Sequence, residues 1–222
     1  MRQTLVAEIV GPAGAGKSTL TCALRRRGAG VRAGFGVWGL PKQLLLASAF
    51  RSLPQLLQMC RGGKLIGLDE ASLIIRLNAL GRFIGRESTG RHKFLLFDEG
   101  AVFALAKLRA LGETRGANGG DERRLRDLVA RRAVKLDVIV WLDAPDEILA
   151  RRIREREKPH RMKNRSDKEI SDFLARYREG YERVVSELGA NHKLKVIRVS
   201  TDGATPEQIA GEVLSSMTGG EG

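Results

Sequence analysis

Residues 11–18 read Gly-Pro-Ala-Gly-Ala-Gly-Lys-Ser, a full G-x-x-x-x-G-K-S sequence whose residue types suit the holding of a polyphosphate. Gly11, Gly14 and Gly16 let the backbone turn its N–H groups toward an anion, where a Cβ would obstruct. Pro12, Ala13 and Ala15 complete the loop. Lys17 brings a mobile positive charge toward the β- and γ-phosphates, and the Ser18 hydroxyl is placed to ligate Mg²⁺, with Thr19 continuing into a helix. The expected ligands are a nucleoside triphosphate and Mg²⁺.

A second chemical group stands about 80 residues on, where Phe94-Leu95-Leu96-Phe97 leads into Asp98-Glu99. A buried strand ending in acids delivers carboxylates beside the phosphate loop. Asp98 can hold Mg²⁺ or take a proton from an acceptor hydroxyl, and Glu99 is the competing base. The structural alternative is that Asp98 caps the helix that follows.

These groups need a scaffold, and the hydrophobic pattern supplies one. Apolar runs at Thr4–Val10, Lys93–Phe97, Val138–Leu142 and Lys195–Val199, with a weaker one at Val31–Ala33, read as buried parallel strands. Helical spacing over Thr19–Arg27, Pro41–Cys60, Asp69–Arg86, Glu122–Val134, Pro145–Arg156, Asp167–Leu188 and Pro206–Met217 separates them. This alternation predicts an α/β domain over residues 1–217, its ligands gathered at the carboxyl ends of the strands, with 218–222 a frayed tail. Gly112–Asp121 reads as a mobile loop and Lys158–Ser166 as a polar connection.

At 222 residues and 42% hydrophobic content, the chain has material for one substantial core. It lacks a run of about 18 apolar residues, so no membrane is expected and the location predicted is cytoplasmic. Cys22 and Cys60 have no metal-ligand spacing and read as core or helix residues. The net charge of +13 is concentrated: eight Lys or Arg against Glu155 and Glu157 between Arg151 and Arg165 give a local balance of +6. Such a field draws polyanions.

Further motifs carry a family resemblance. Trp141-Leu142-Asp143-Ala144-Pro145-Asp146-Glu147 enters a helix bearing Arg152, Ile153 and Arg156. With the phosphate loop and the acid-tipped strand before it and a strand-loop-helix after it, the chain resembles P-loop kinases of nucleosides and nucleotides, the thymidylate-kinase and deoxynucleoside-kinase group. The resemblance implies a three-layer P-loop fold with about five parallel strands and a helical lid over about 151–166. It implies ATP-dependent transfer of a phosphoryl group, with Arg152 and Arg156 stabilising that group and Thr201, Asp202 and Gly203 near the adenine. Residues four apart share a helix face, so both guanidiniums can converge on the same oxygens.

The acceptor half departs from that group. Its acid is usually followed by arginine, whereas this chain has Asp98-Glu99-Gly100, and the stretch Gly34–Pro41 carries neither the family's glutamate nor its arginine before proline. A nonstandard acceptor is the expectation, with Phe35 and Trp38 lining an aromatic slot and Arg76 or Arg82 meeting an anionic group. The competing reading is a P-loop ATPase acting on nucleic acid or within a larger assembly, with Asp98-Glu99 serving Mg²⁺ and water. The expected partners are a nucleoside triphosphate and a small-molecule acceptor. Nucleic acid is less favoured, and a homodimer is allowed.

Overall fold

In the computed structural model, which describes residues 4–28, 30–60, 67–88, 92–114, 136–157, 159–191 and 194–219, five strands form one parallel sheet. They are β1 (Leu5–Val10), β2 (Val31–Phe35), β3 (Phe94–Asp98), β4 (Val138–Asp143) and β5 (Lys195–Ser200), in the order β2-β3-β1-β4-β5. The helices are α1 (Lys17–Arg26), α2 (Lys42–Cys60), α3 (Leu68–Glu87), α4 (Ala101–Thr114), α5 (Asp146–Glu155), α6 (Asp167–Asn191) and α7 (Pro206–Thr218).

The strands alternate between two cores. Val6, Val10, Leu95, Phe97, Ile139 and Trp141 face a layer built on α3, α4 and the later part of α6. Ala7, Ile9, Phe94, Leu96, Val140 and Leu142 face α1, α5, α7 and the start of α6. Two buried faces explain why the central strands read as continuous apolar runs, and three layers follow. The register sets Asp98 of β3 against Ile9 of β1, and Trp141 of β4 against Val10. The phosphate loop, the acids and the Leu142-Asp143-Ala144-Pro145 turn therefore leave the same edge of three adjacent strands.

The expected helix over Glu122–Val134 lies outside the described residues. So does most of the loop expected at Gly112–Asp121, although α4 carries its first residues, to Thr114, as helix. No helical period in the sequence marks α4, for a physical reason. Ala101, Val102, Ala104 and Leu105 are all buried, so the helix opens as an unbroken apolar run with no polar face to mark its period. Cys22 is helical, as expected, but exposed. On α2, Leu46, Phe50, Leu53 and Leu57 are exposed. No helix among the described residues is long and apolar enough to cross a membrane.

Candidate active site

The glycine-rich loop joins β1 to α1, and its first residue has no room for a side chain. A Cβ on Gly11 would stand 2.2 Å from the Leu142 carbonyl oxygen, so the loop is seated directly against the end of β4. Lys17 opens α1, and its ammonium donates back to the carbonyls of Gly11 at 2.6 Å and Pro12 at 3.0 Å. Burial pulls its pKa down to about 8, against the opposing charges of Asp98 and Glu99, while Arg156 pushes the same way as burial. Those three residues therefore act on one ammonium. Ser18 and Thr19 are exposed on the first turn, whereas Pro12 and Ala15 are buried.

At the tip of β3 the backbone is unusual. Glu99 has φ of 51°, the one positive value at a non-glycine residue among those described. Its carbonyl accepts from the Val37 amide at 3.1 Å, which ties the segment after β2 to the acidic tip. Burial and the neighbouring Asp98 charge raise the Glu99 pKa, offset in part by Lys17 and Lys107. Among the described residues nothing donates a hydrogen bond to the Asp98 carboxylate. Asp98 and the Ser18 hydroxyl offer hard oxygen donors, which suits Mg²⁺. No cluster of three or more His, Cys, Asp or Glu suited to a metal occurs among the described residues.

Glu8 is the residue the sequence reading missed. It lies in β1, fully buried, and accepts from the amides of Gly100 at 2.9 Å, Val102 at 3.0 Å and Phe103 at 3.1 Å. The helix cap therefore comes from a strand some 90 residues earlier, and Asp98 is free of the capping role the sequence allowed it. Burial outweighs those amides and raises the Glu8 pKa to about 7. The same packing accounts for Gly100. A Cβ there would meet the Phe97 ring at 2.0 Å and a Glu8 carboxylate oxygen at 2.7 Å. An acid inside an otherwise apolar strand was the available signal.

Of the two arginines expected to converge, Arg152 is engaged within the protein. Arg152, in α5, donates to Thr201 Oγ1 at 2.9 Å, the Thr201 carbonyl at 2.8 Å and the Gly14 carbonyl at 3.3 Å. It joins the phosphate loop to the turn after β5, where Thr201 is buried and Asp202 and Gly203 are exposed. α5 ends at Glu155 and Arg156 is its C-cap, with φ of −63° and its amide still bonded to the Arg152 carbonyl at 3.2 Å, so the two residues stand one helical turn apart and the chain turns away only after Arg156. Arg156 acts electrostatically on Lys17 and on His160, whose pKa falls through burial and then through Arg156, Arg161 and Lys17. Lys163 donates to the Arg156 carbonyl at 2.8 Å, holding the turn over 160–165 against it.

Arg178, in α6, explains the Leu-Asp-Ala-Pro motif. It grips both Asp143 oxygens at 2.8 and 2.9 Å, Asp146 at 2.6 Å and the Ala144 carbonyl at 3.1 Å. One guanidinium thereby fixes the entry into α5. Along the same helix, Tyr177 stacks on Tyr181 with ring centroids 4.2 Å apart and lies 6.0 Å from the Lys17 ammonium. On the opposite flank Phe35 packs between Phe83 at 5.1 Å and Phe97 at 5.6 Å, and Trp38 alone of the expected aromatic pair is exposed.

No protein-family model matches this sequence, and no curated protein matches it. Solved structures do match by shape. The chain is similar to deoxyadenosine kinase from M. mycoides with bound dCTP, with TM-score 0.54 and 16% identity over 96% of this chain and 100% of that one. A second structure of that kinase, with the products dCMP and dCDP, gives TM-score 0.55 and 13% identity over 97% and 100%. Thymidylate kinase from Candida albicans gives TM-score 0.55 and 13% identity over 97% of this chain and 91% of that one. The parallel sheet, its covering helices and the loop at Gly11–Ser18 give this chain the three-layer P-loop fold that those nucleoside and nucleotide kinases share.

Proposed function

We propose that this protein is an ATP-dependent phosphotransferase that moves the γ-phosphoryl group to a nucleoside, a nucleotide or another small hydroxyl or phosphate acceptor. The observation that carries the reading is the half-buried Lys17 at the start of α1, its ammonium folded onto the Gly11 and Pro12 carbonyls of the glycine-rich loop and within the charge field of Asp98, Glu99 and Arg156. Cations beside acids at one end of a parallel sheet suit a reaction in which a charged group passes between two oxygens.

In this reading the backbone of Gly11–Ser18 and Lys17 hold the triphosphate, and Arg156 stabilises the group in transit. Thr201, Asp202 and Gly203 lie beside the base, with Arg152 fixing their distance from the loop. Glu99, its proton affinity raised by burial and by Asp98, takes the proton from an acceptor hydroxyl. Ser18 and Asp98 would hold Mg²⁺, which when bound neutralises the phosphate oxygens.

The test is incubation with γ-labelled ATP, Mg²⁺ and pooled nucleosides, nucleotides and small hydroxylated metabolites. Label moving onto an acceptor supports the proposal. Free phosphate whose release rises only with DNA or RNA overturns it in favour of an ATPase.

A further inference from the structure

Trp38 follows β2 and is 46% exposed. The Arg76 guanidinium carbon lies 4.6 Å from its ring centroid and the Lys107 ammonium 4.8 Å. The two charges are therefore within about 10 Å of each other, one screening length at 0.1 M salt. Both side chains are half-buried. Among the described residues neither has an ion-pair partner, although Arg26, Arg32, Arg154, Arg165, Arg178, Arg183 and Arg198 do. Each cation lies over the Trp38 ring without a carboxylate partner among the described residues, so both are available to an anion beside the indole.

Their fastening points the same way. Arg76 donates Nη1 to the Val37 carbonyl at 3.2 Å and Nε to Ser72 at 3.3 Å. Those bonds orient the fork and leave Nη2 for another acceptor. The next amide in the chain before Trp38, that of Val37, donates to Glu99, and Lys107 lowers the proton affinity of that same glutamate. The cationic pair thus adjoins the acidic tip on its flank away from β4.

We propose that Arg76, Lys107 and Trp38 form an anion-binding site beside Glu99, and that the phosphoryl acceptor carries a carboxylate or phosphate which this site reads. Assigning that anion to an acceptor rests on the phosphotransfer reading. The anion site itself does not.

Two measurements separate these claims. The first titrates the full chain, with its phosphate loop filled by Mg-ADP, with inorganic phosphate, malonate and neutral glycerol while following tryptophan emission. Phosphate or malonate produces a saturable change that vanishes in Trp38→Phe and needs at least five-fold more anion in Arg76→Met and in Lys107→Met. No saturable change, an equal response to glycerol, or midpoints unmoved in both Met variants overturns the anion site. The second compares matched acceptors, deoxycytidine with dCMP, thymidine with its 5′-monophosphate, and glycerol with glycerate. The anionic member of the pair that is used has a kcat/KM at least ten-fold higher, and Lys107→Met raises its KM ten-fold while the KM for ATP stays within two-fold. Preference for the neutral member overturns the acceptor assignment with the kinase reading intact. Anion binding without transfer to any acceptor removes the kinase reading and the acceptor assignment together, leaving an anion site alone.

Discussion

Arg152 holds Thr201 at two atoms, the side-chain hydroxyl at 2.9 Å and the main-chain carbonyl at 2.8 Å, while its first guanidinium nitrogen also reaches the Gly14 carbonyl at 3.3 Å. A residue engaged in this way sets the spacing between the glycine-rich loop and the turn at Thr201–Gly203. We expect Arg152→Ala to raise the KM for ATP by about ten-fold, a loss of about 1.4 kcal/mol, with kcat changed much less. Steady-state kinetics over a range of ATP concentrations checks it. A fall in kcat at constant KM would instead give Arg152 the phosphoryl-stabilising role that the family resemblance implies.

Arg156 has the opposite signature. It caps α5 one turn after Arg152, and its charge is felt at Lys17. Interactions made only as charge develops lower kcat, so Arg156→Ala should reduce kcat by about 100-fold or more with ATP binding nearly unchanged. Equilibrium titration with ATP alongside turnover measures both.

Asp98 and Glu99 separate by pH and by metal. Burial and Asp98 raise the proton affinity of Glu99, so kcat/KM for a hydroxyl acceptor should fall on the acid side as Glu99 protonates. Glu99→Gln should remove that limb together with most of the rate. Asp98→Asn should keep the limb and raise the Mg²⁺ concentration needed for half-maximal rate. An acid limb that survives Glu99→Gln and is lost in Asp98→Asn would exchange the two roles.

Glu8 makes a prediction about stability. Its folded pKa, raised by burial to about 7, exceeds the ordinary value of 4.5. Folding favours the protonated form, so the contribution is fully present below about pH 4.5 and is lost as the pH rises through 7, by as much as about 3 kcal/mol. Urea midpoints should therefore fall between pH 5 and pH 8 more steeply in the wild-type protein than in Glu8→Gln. Equal slopes would mean that the three amides cancel the cost of burial.

What the sequence disclosed follows the range of the interactions concerned. The phosphate loop, the acid-tipped strand and the alternation of strands with helices are encoded in neighbouring residues, and the five strands lie where the apolar runs place them. Long-range partners were invisible. Glu8 caps α4 across more than 90 residues, and Arg178 meets Asp143 across 35, pairs that no local pattern announces. The spacing of Arg152 and Arg156 discloses their shared helical turn, but not the Thr201 and Gly14 oxygens that occupy Arg152 from distant parts of the chain. Trp38 and Arg76 stand out as candidates in the sequence, but Lys107 comes from α4, a helix with no legible period.

Glu99 sits at a backbone angle that glycine adopts without strain. Selection for heat resistance alone would accordingly favour Glu99→Gly, which should raise the melting temperature by a few degrees, a gain of about 1 kcal/mol, while deleting the carboxylate at the acidic tip. A library screened only for survival of heating should enrich that change, and one screened for turnover should discard it.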